Sequence, residues 1–199
     1  MKNKPPKDPF DTYCWSYAVI TDPYQVFAEC FMFADIGAFR KTIRQVLLSA
    51  AEDKVYKKEQ PASALDLFKA ITSVILAAQV LCRQKKTSGL KIEQQQFTDK
   101  RLYARPGACC AEWEYLPKNL SAKEYGDPYK VFHRFFKYQD VAQWRQSINQ
   151  ALGYALAGNA EGCSIHLLKL YVHLTKLMEA AHLIDVREVL HVDGVLKPA

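Results

Sequence analysis

The chain has 199 residues, 49% of them apolar and 24% charged, with a formal net charge of +6 at pH 7. That length and apolar fraction suffice to bury a core without a disulfide scaffold, and 12% aromatic residues exclude low complexity and global disorder. The opening MKNKPPKDPF has charge and proline but no apolar centre, so it does not read as a secretory signal.

The first helix is predicted from Asp22-Pro23. Asp22 can cap the free amides, and Pro23 occupies the first helical position, where its missing N–H costs nothing. Val26, Phe27 and Phe31 follow at helical spacing. Asp35 then precedes Phe39, Ile43 and Leu47, so it reads as the cap of a second helix. The third helix carries the clearest periodicity, with Ala64, Leu67, Ile71, Val74, Ala78 and Leu81 stepping by alternate threes and fours, a seam suited to shallow helix-on-helix packing. Its most apolar stretch, residues 70–82, contains Thr72, Ser73 and Gln79 and falls short of the roughly 20 residues that cross a bilayer. A cytoplasmic chain with no membrane partner is expected.

The pattern then repeats. Residues 22–50 align with 127–155 at a constant offset of 105 without a gap. The matches include Asp22/Asp127, Pro23/Pro128, Tyr24/Tyr129, Phe27/Phe132, Asp35/Asp140 and Arg40/Arg145. Twelve of the 29 positions are identical, where chance at about one in sixteen gives about two, and a repeat of this kind takes precedence over any local reading. The third helix has its own counterpart at an offset of 103: Leu167, Leu170, Leu174, Leu177, Ala181 and Ile184 step identically, and Trp15-Ser16-Tyr17 echoes Trp113-Glu114-Tyr115. The sequence therefore predicts an all-α fold, an internally duplicated helical bundle over residues 1–199. Repeat 1 spans 13–82, a basic connector 83–112 and repeat 2 113–192, and two related three-helix units pack with pseudo-twofold symmetry because neither buries its apolar face alone.

Most of the excess charge lies between the repeats. Residues 83–105 contain Arg83, Lys85, Lys86, Lys91, Lys100, Arg101 and Arg105 against two acids, with Phe97 and Tyr103 interleaved. Such a segment can contact a phosphate backbone and stack bases, but no helix-turn-helix, RNP or GXXG pattern accompanies it. A solvated tether is the favoured reading, with nucleic-acid contact as the alternative.

Catalytic signatures are sparse. No P-loop, dinucleotide fingerprint, hydrolase elbow or H-E-x-x-H occurs. Glu179-Ala-Ala-His182 has the spacing of a di-iron bundle ligand pair, yet the aligned positions, Leu76 and Gln79, supply no second motif, so Glu179 and His182 are only weak metal candidates. His166 and His173 align with Ser63 and Ala70. The run Arg187-Glu-Val-Leu-His191 resembles, over five residues, the Arg and His pair of helical HEPN ribonucleases, which implies a basic pair that stabilises and protonates a scissile phosphate. Three residues intervene here, fewer than in that family's pattern, and the chain is not assigned to it. The six cysteines show no Cys-x-x-Cys spacing and read as reduced thiols, several of them buried.

The repeated polar residues Tyr24, Tyr129, Arg40 and Arg145 are candidate ligand or structural groups, with an ion pair to a neighbouring acid favoured for each arginine. The expected function is non-enzymatic: a helical binding protein with a protein partner and no cofactor. Nucleic-acid association through 83–105 is the alternative, and a metal-dependent or RNase-like enzyme using Glu179, His182, Arg187 and His191 is the third reading.

Overall fold

A computed structural model describes residues 7–52, 54–58, 60–105, 111–157, 165–192 and 195–196. Among them are eight α-helices: α1 (Pro23–Phe33), α2 (Ile36–Ala51), α3 (Pro61–Arg83), α4 (Glu112–Tyr115), α5 (Ala122–Gly126), α6 (Tyr129–Tyr138), α7 (Val141–Ala157) and α8 (Leu167–Glu188). The rest is single 3-10 turns and one antiparallel pair of two-residue strands, β1 (His191–Val192) and β2 (Val195–Leu196). The fold is all-helical, as the periodicity predicts.

The helix starts follow the local chemistry with one exception. The Asp22 carboxylate accepts the Tyr24 amide at 3.2 Å and the Asp35 carboxylate the Ala38 amide at 2.7 Å. At α7, Asp140 accepts the Gln143 amide at 2.8 Å while the Gln143 side chain accepts the Asp140 amide at 2.9 Å, a reciprocal cap. Asp127 departs from expectation and does not cap α6. The preceding α5, started by a Ser121–Glu124 capping box, ends on it, so its amide closes that helix on Lys123 while its carboxylate accepts the Ser88 amide at 3.3 Å. The chain that precedes α6 has taken the aspartate for another task.

The core lies where the long helices meet. α3 packs on α1, α6, α7 and α8, and α2 packs on α7 and α8. All six seam residues of α3 are buried, as are Leu170, Leu174, Leu177, Ala181 and Ile184 of α8. Phe27 of α1 and Phe132 of α6, aligned residues, sit with ring centroids 6.0 Å apart, and Phe135 stacks on Trp144 at 4.1 Å. By length and composition α3 could cross a membrane, and here its apolar side chains fill the centre of the bundle.

The connector is not the solvated tether that its composition suggests. Tyr103 and Ala104 are buried, Ile92, Phe97 and Leu102 pack against the core, and the segment runs along α8. Its aromatic and aliphatic residues outweigh its lysines because the apolar surface they cover is continuous with the core.

Candidate functional site

The polar side chains of α8 are consumed by the irregular chain that covers them. A helix laid on a helix needs no polar groups at the contact, but a loop brings unpaired N–H and C=O groups that must be satisfied. Glu179 is fully buried; its carboxylate accepts the amides of Lys118 at 3.0 Å and Asn119 at 2.9 Å, the Asn119 side chain at 3.2 Å and Arg40 Nε at 2.9 Å. Arg40 also donates to the carbonyls of Glu114 at 2.7 Å and Leu116 at 3.0 Å. Together the two side chains fasten residues 114–119 onto α2 and α8.

One turn further along α8, His182 Nε2 lies 3.0 Å from the Tyr103 carbonyl. A carbonyl only accepts, so Nε2 carries the proton of the neutral ring and Nδ1 is an acceptor. That Nδ1 is buried and has no partner among the described residues. Burial, reinforced by the positive charges of Arg40, Arg105 and Arg187 and opposed by the Tyr103 carbonyl, pushes the imidazole down to about pH 4. Asp185, also buried, accepts Arg105 Nη2 at 2.8 Å, and its charge adds to burial in holding the Cys30 thiol well above its ordinary range. Arg187 donates to the carbonyls of Leu102 at 2.7 Å and Tyr125 at 2.6 Å and lies 4.4 Å over the Tyr125 ring.

Two further polar groups tie α5 and α6 to α8. Tyr129 donates to Glu188 at 2.6 Å, which leaves Tyr24 to donate to the Tyr129 oxygen at 3.0 Å; burial and these partners push the Tyr129 phenol far upward. Glu124 is buried between Arg134 at 2.7 Å and Lys176 at 2.9 Å. Burial alone would raise its carboxyl, but the Ser121 amide and hydroxyl and the Lys176 ammonium hold it down to about 2.

A half-open groove of about 620 Å³ lies where the end of α1 meets the start of α2, α8 and the connector. Ala28, Phe31, Met32, Phe33 and Ile36 make its apolar wall; Tyr115, His182 and the Arg105–Asp185 pair make its polar end. Among the described residues the lining contains no Ser, Thr, Cys or Lys. Met32 and Phe33 remain exposed at the rim.

The residues singled out in the sequence fall in different places. Arg40 joins Glu179, whereas Arg145 makes an exposed pair with Asp11 at 2.9 Å. Tyr24 and Tyr129 meet each other. Of the connector cations, Lys100 pairs with Glu112, Arg101 with Asp99 and Arg105 with Asp185, while Arg83, Lys85, Lys86 and Lys91 stand exposed around the end of α3. Both Glu179 and His182 spend their polar atoms on the chain covering α8, and no cluster of three or more His, Cys, Asp or Glu with metal-holding geometry occurs among the described residues. His166 accepts the Lys169 amide at the start of α8, and His173 stacks on Tyr138 at 4.5 Å. The His191 side chain, Cys109, Cys110 and Cys163 lie outside the described residues.

Sequence reasoning missed Asp185 and the rim of the groove. It also missed His133, whose Nδ1 is 3.3 Å from Cys82 Sγ. The signal was present in the alignment: Ala28 stands opposite His133, and Asp185, one residue past the aligned stretch, stands opposite Cys82. In one position the pair His133–Cys82 closes α6 on α3; in the other, Ala28 and Asp185 leave a groove between α1 and α8. Comparison with known proteins finds no family model, no curated protein and no solved structure that matches this chain.

Proposed function

We propose that the protein is a non-enzymatic binding protein, two related three-helix units packed about a pseudo-twofold axis, with one recognition groove between α1, α2 and α8. Aligned residues touch each other only near such an axis, and the Tyr24–Tyr129 and Phe27–Phe132 contacts support it, as does the reciprocal packing of α1 on α8 and α6 on α3. The observation that carries the functional reading is the groove itself: its volume lies in the range of small-ligand sites, its wall is apolar, and its few polar groups converge at one end. Its charged groups are already matched, Asp185 by Arg105 and Asp35 by the amide of Ala38, so it favours binding a neutral apolar group over performing acid–base work.

The test uses the full chain and Nile red, a neutral apolar dye. Saturable binding of one equivalent is expected. Met32→Glu, which puts a carboxylate on the exposed rim of the apolar wall, should weaken it severely while the thermal midpoint stays within a few degrees. Replacing Arg83, Lys85, Lys86 and Lys91 by Gln should leave dye binding unchanged. Steeply salt-dependent binding of a 20-nucleotide single strand that is lost in this last variant, with no dye bound, overturns the reading in favour of the nucleic-acid alternative.

A further inference from the structure

A second apolar hollow lies on another face. It has about 320 Å³, sits between the last turns of α2 and the first turn of α8, and shares no lining residue with the groove at α1. Leu48 and Ala51 stand on one side and Leu167, Leu168 and Tyr171 on the other, with Arg44 in the lining. Leu48 is 46% exposed and Leu168 67%. Single exposed leucines are ordinary on a protein surface, but two that converge on one hollow are not. The fold does not ask for these side chains. The position aligned with Leu48 carries Gly153 and that aligned with Arg44 carries Asn149, both exposed, so the second repeat packs its helix without either of them.

The charge around the hollow is of one sign. α2 has no acid from Ile36 to Ala51, and α8 has none from Leu167 to Met178. Arg40 and Lys176 are taken by Glu179 and Glu124, while Lys41, Arg44 and Lys169 are exposed. Glu52, the acid just past α2, is paired with Lys54 at 3.0 Å. We propose that this face docks an acidic amphipathic helix of a partner protein, whose apolar side chains at i, i+3, i+4 and i+7 enter between Leu48 and Leu168 and whose carboxylates meet Lys41, Arg44 and Lys169. The walls are two antiparallel helices, with Arg40 early in α2 against Glu179 and Leu48 late in α2 across from Leu168 at the start of α8, and the channel between such a pair takes a third helix. Helical walls spend their backbone groups on themselves and have no strand edge to hold an extended peptide. A bilayer meets side chains that project from a convex face, whereas these leucines border a concavity. A nucleic-acid backbone answers the cations but has nothing apolar for the hollow.

The test uses the full chain and two labelled peptides of about 16 residues, one with leucine at the apolar positions and glutamate elsewhere, the other with lysine for every glutamate. The glutamate peptide should bind at least about tenfold tighter than its twin and loosen as salt is raised. Leu168→Ser should weaken it by about tenfold or more, and Arg44→Glu with Lys169→Glu should reverse the preference. All three residues are exposed, so the thermal midpoint should stay within a few degrees. Replacing Arg83 and Lys85 by Glu changes the net charge as much outside the hollow and should leave the preference standing. Equal binding of the two peptides, or a preference that falls as far with the changes at Arg83 and Lys85 as with those at Arg44 and Lys169, overturns the inference. So does a wild-type dimer in sedimentation that Leu168→Ser converts to monomer, which makes a second copy the occupant. Capture by phosphatidylglycerol vesicles that is lost in the same variant, with no peptide bound, overturns it in favour of a membrane. None of these readouts involves the groove that takes Nile red, so the two readings stand or fall separately.

Discussion

Helices α3 and α8 carry the same apolar seam and different polar residues, and the difference follows from what lies on top of each. From Leu177 to Asp185 every residue of α8 is buried, whereas α3 shows half-buried positions at Leu76, Gln79, Val80 and Cys82. Residues 102–105 and 116–119 lie on α8 as irregular chain, and their amides and carbonyls are met by Glu179, His182 and Arg187. Over α3 the irregular chain of residues 11–15 is met instead by Ser73, which accepts Trp15 Nε1 at 2.8 Å and lies 3.3 Å from the Asp11 carbonyl, so the positions of Leu76 and Gln79 are not called on to fasten it. A helix face reads as catalytic in sequence when its polar residues are in fact the fasteners of a loop, and the loop itself cannot be seen in the pattern of the helix.

The largest break in this comparison comes from Glu179→Leu, which gives α8 the residue of α3. It leaves Arg40 and the amides of Lys118 and Asn119 buried without their acceptor, and the loss should be about 3–5 kcal/mol in urea unfolding. Arg40→Met added to it should restore part of that loss, because the stranded charge is gone. A cost below about 1 kcal/mol for Glu179→Leu would mean that the 114–119 segment is not held as described.

What the two helices share should break equally. Ile71→Ala and Leu174→Ala each remove a fully buried branched side chain from the seam, for about 2–5 kcal/mol apiece. Because α3 contacts α2, α7 and α8, and α8 contacts α2, each substitution should lower a single transition of the whole chain. Two separate transitions, one unmoved by each variant, would split the core in two.

Acid should distinguish α8 from α3. The His182 imidazole is held down to about 4 in the fold, against about 6.5 in an unfolded chain, so the unfolded state takes up the proton first. Stability is therefore retained above about pH 6.5 and falls by about 3 kcal/mol as the pH drops to 4, after which this group contributes no further loss. The Glu124 carboxyl, held down to about 2, contributes above its unfolded value near 4.3 and is lost in a second, lower window. His182→Gln should remove most of the upper step, leaving the share of His173, whose imidazole is also held down by burial and by Lys176 and Lys169, and should leave the lower one.

The fold was legible because its signals are local or repeated: the aspartate caps at Asp22, Asp35 and Asp140, and a three-four spacing that occurs twice. Asp127 was misread because capping depends on what precedes it, and the α5 turn that claims its amide has too few residues to show periodicity. The groove was nearly invisible. It is made by an absence, Ala28, between helices far apart in sequence, and by Asp185, whose partner Arg105 sits in a segment that composition marks as a tether. Buried loops are hard to foresee for the same reason, since Tyr103 and Ala104 have no spacing to announce them.

The smallest effects lie within the connector, whose two ends should separate cleanly. Lys85, Lys86 and Lys91 are exposed, and Lys85 adopts a left-handed conformation just past the end of α3. Replacing Lys86 and Lys91 by Gln removes charge from water and no contact from the core, so the unfolding midpoint should not move measurably. Arg105→Gln is different, since it deprives the buried Asp185 of its cation and should lower the midpoint even though both changes neutralise basic residues of one segment. Trypsin offers the same distinction under native conditions. Cleavage needs a stretch of backbone freed from its contacts, so the bonds after Lys85, Lys86 and Lys91 should be cut well before the bond after Arg101, which leads into Leu102, whose carbonyl Arg187 of α8 holds, and into the buried Tyr103 and Ala104. Equal cutting at both ends would return the whole connector to solvent and with it the cover that gives α8 its polar face.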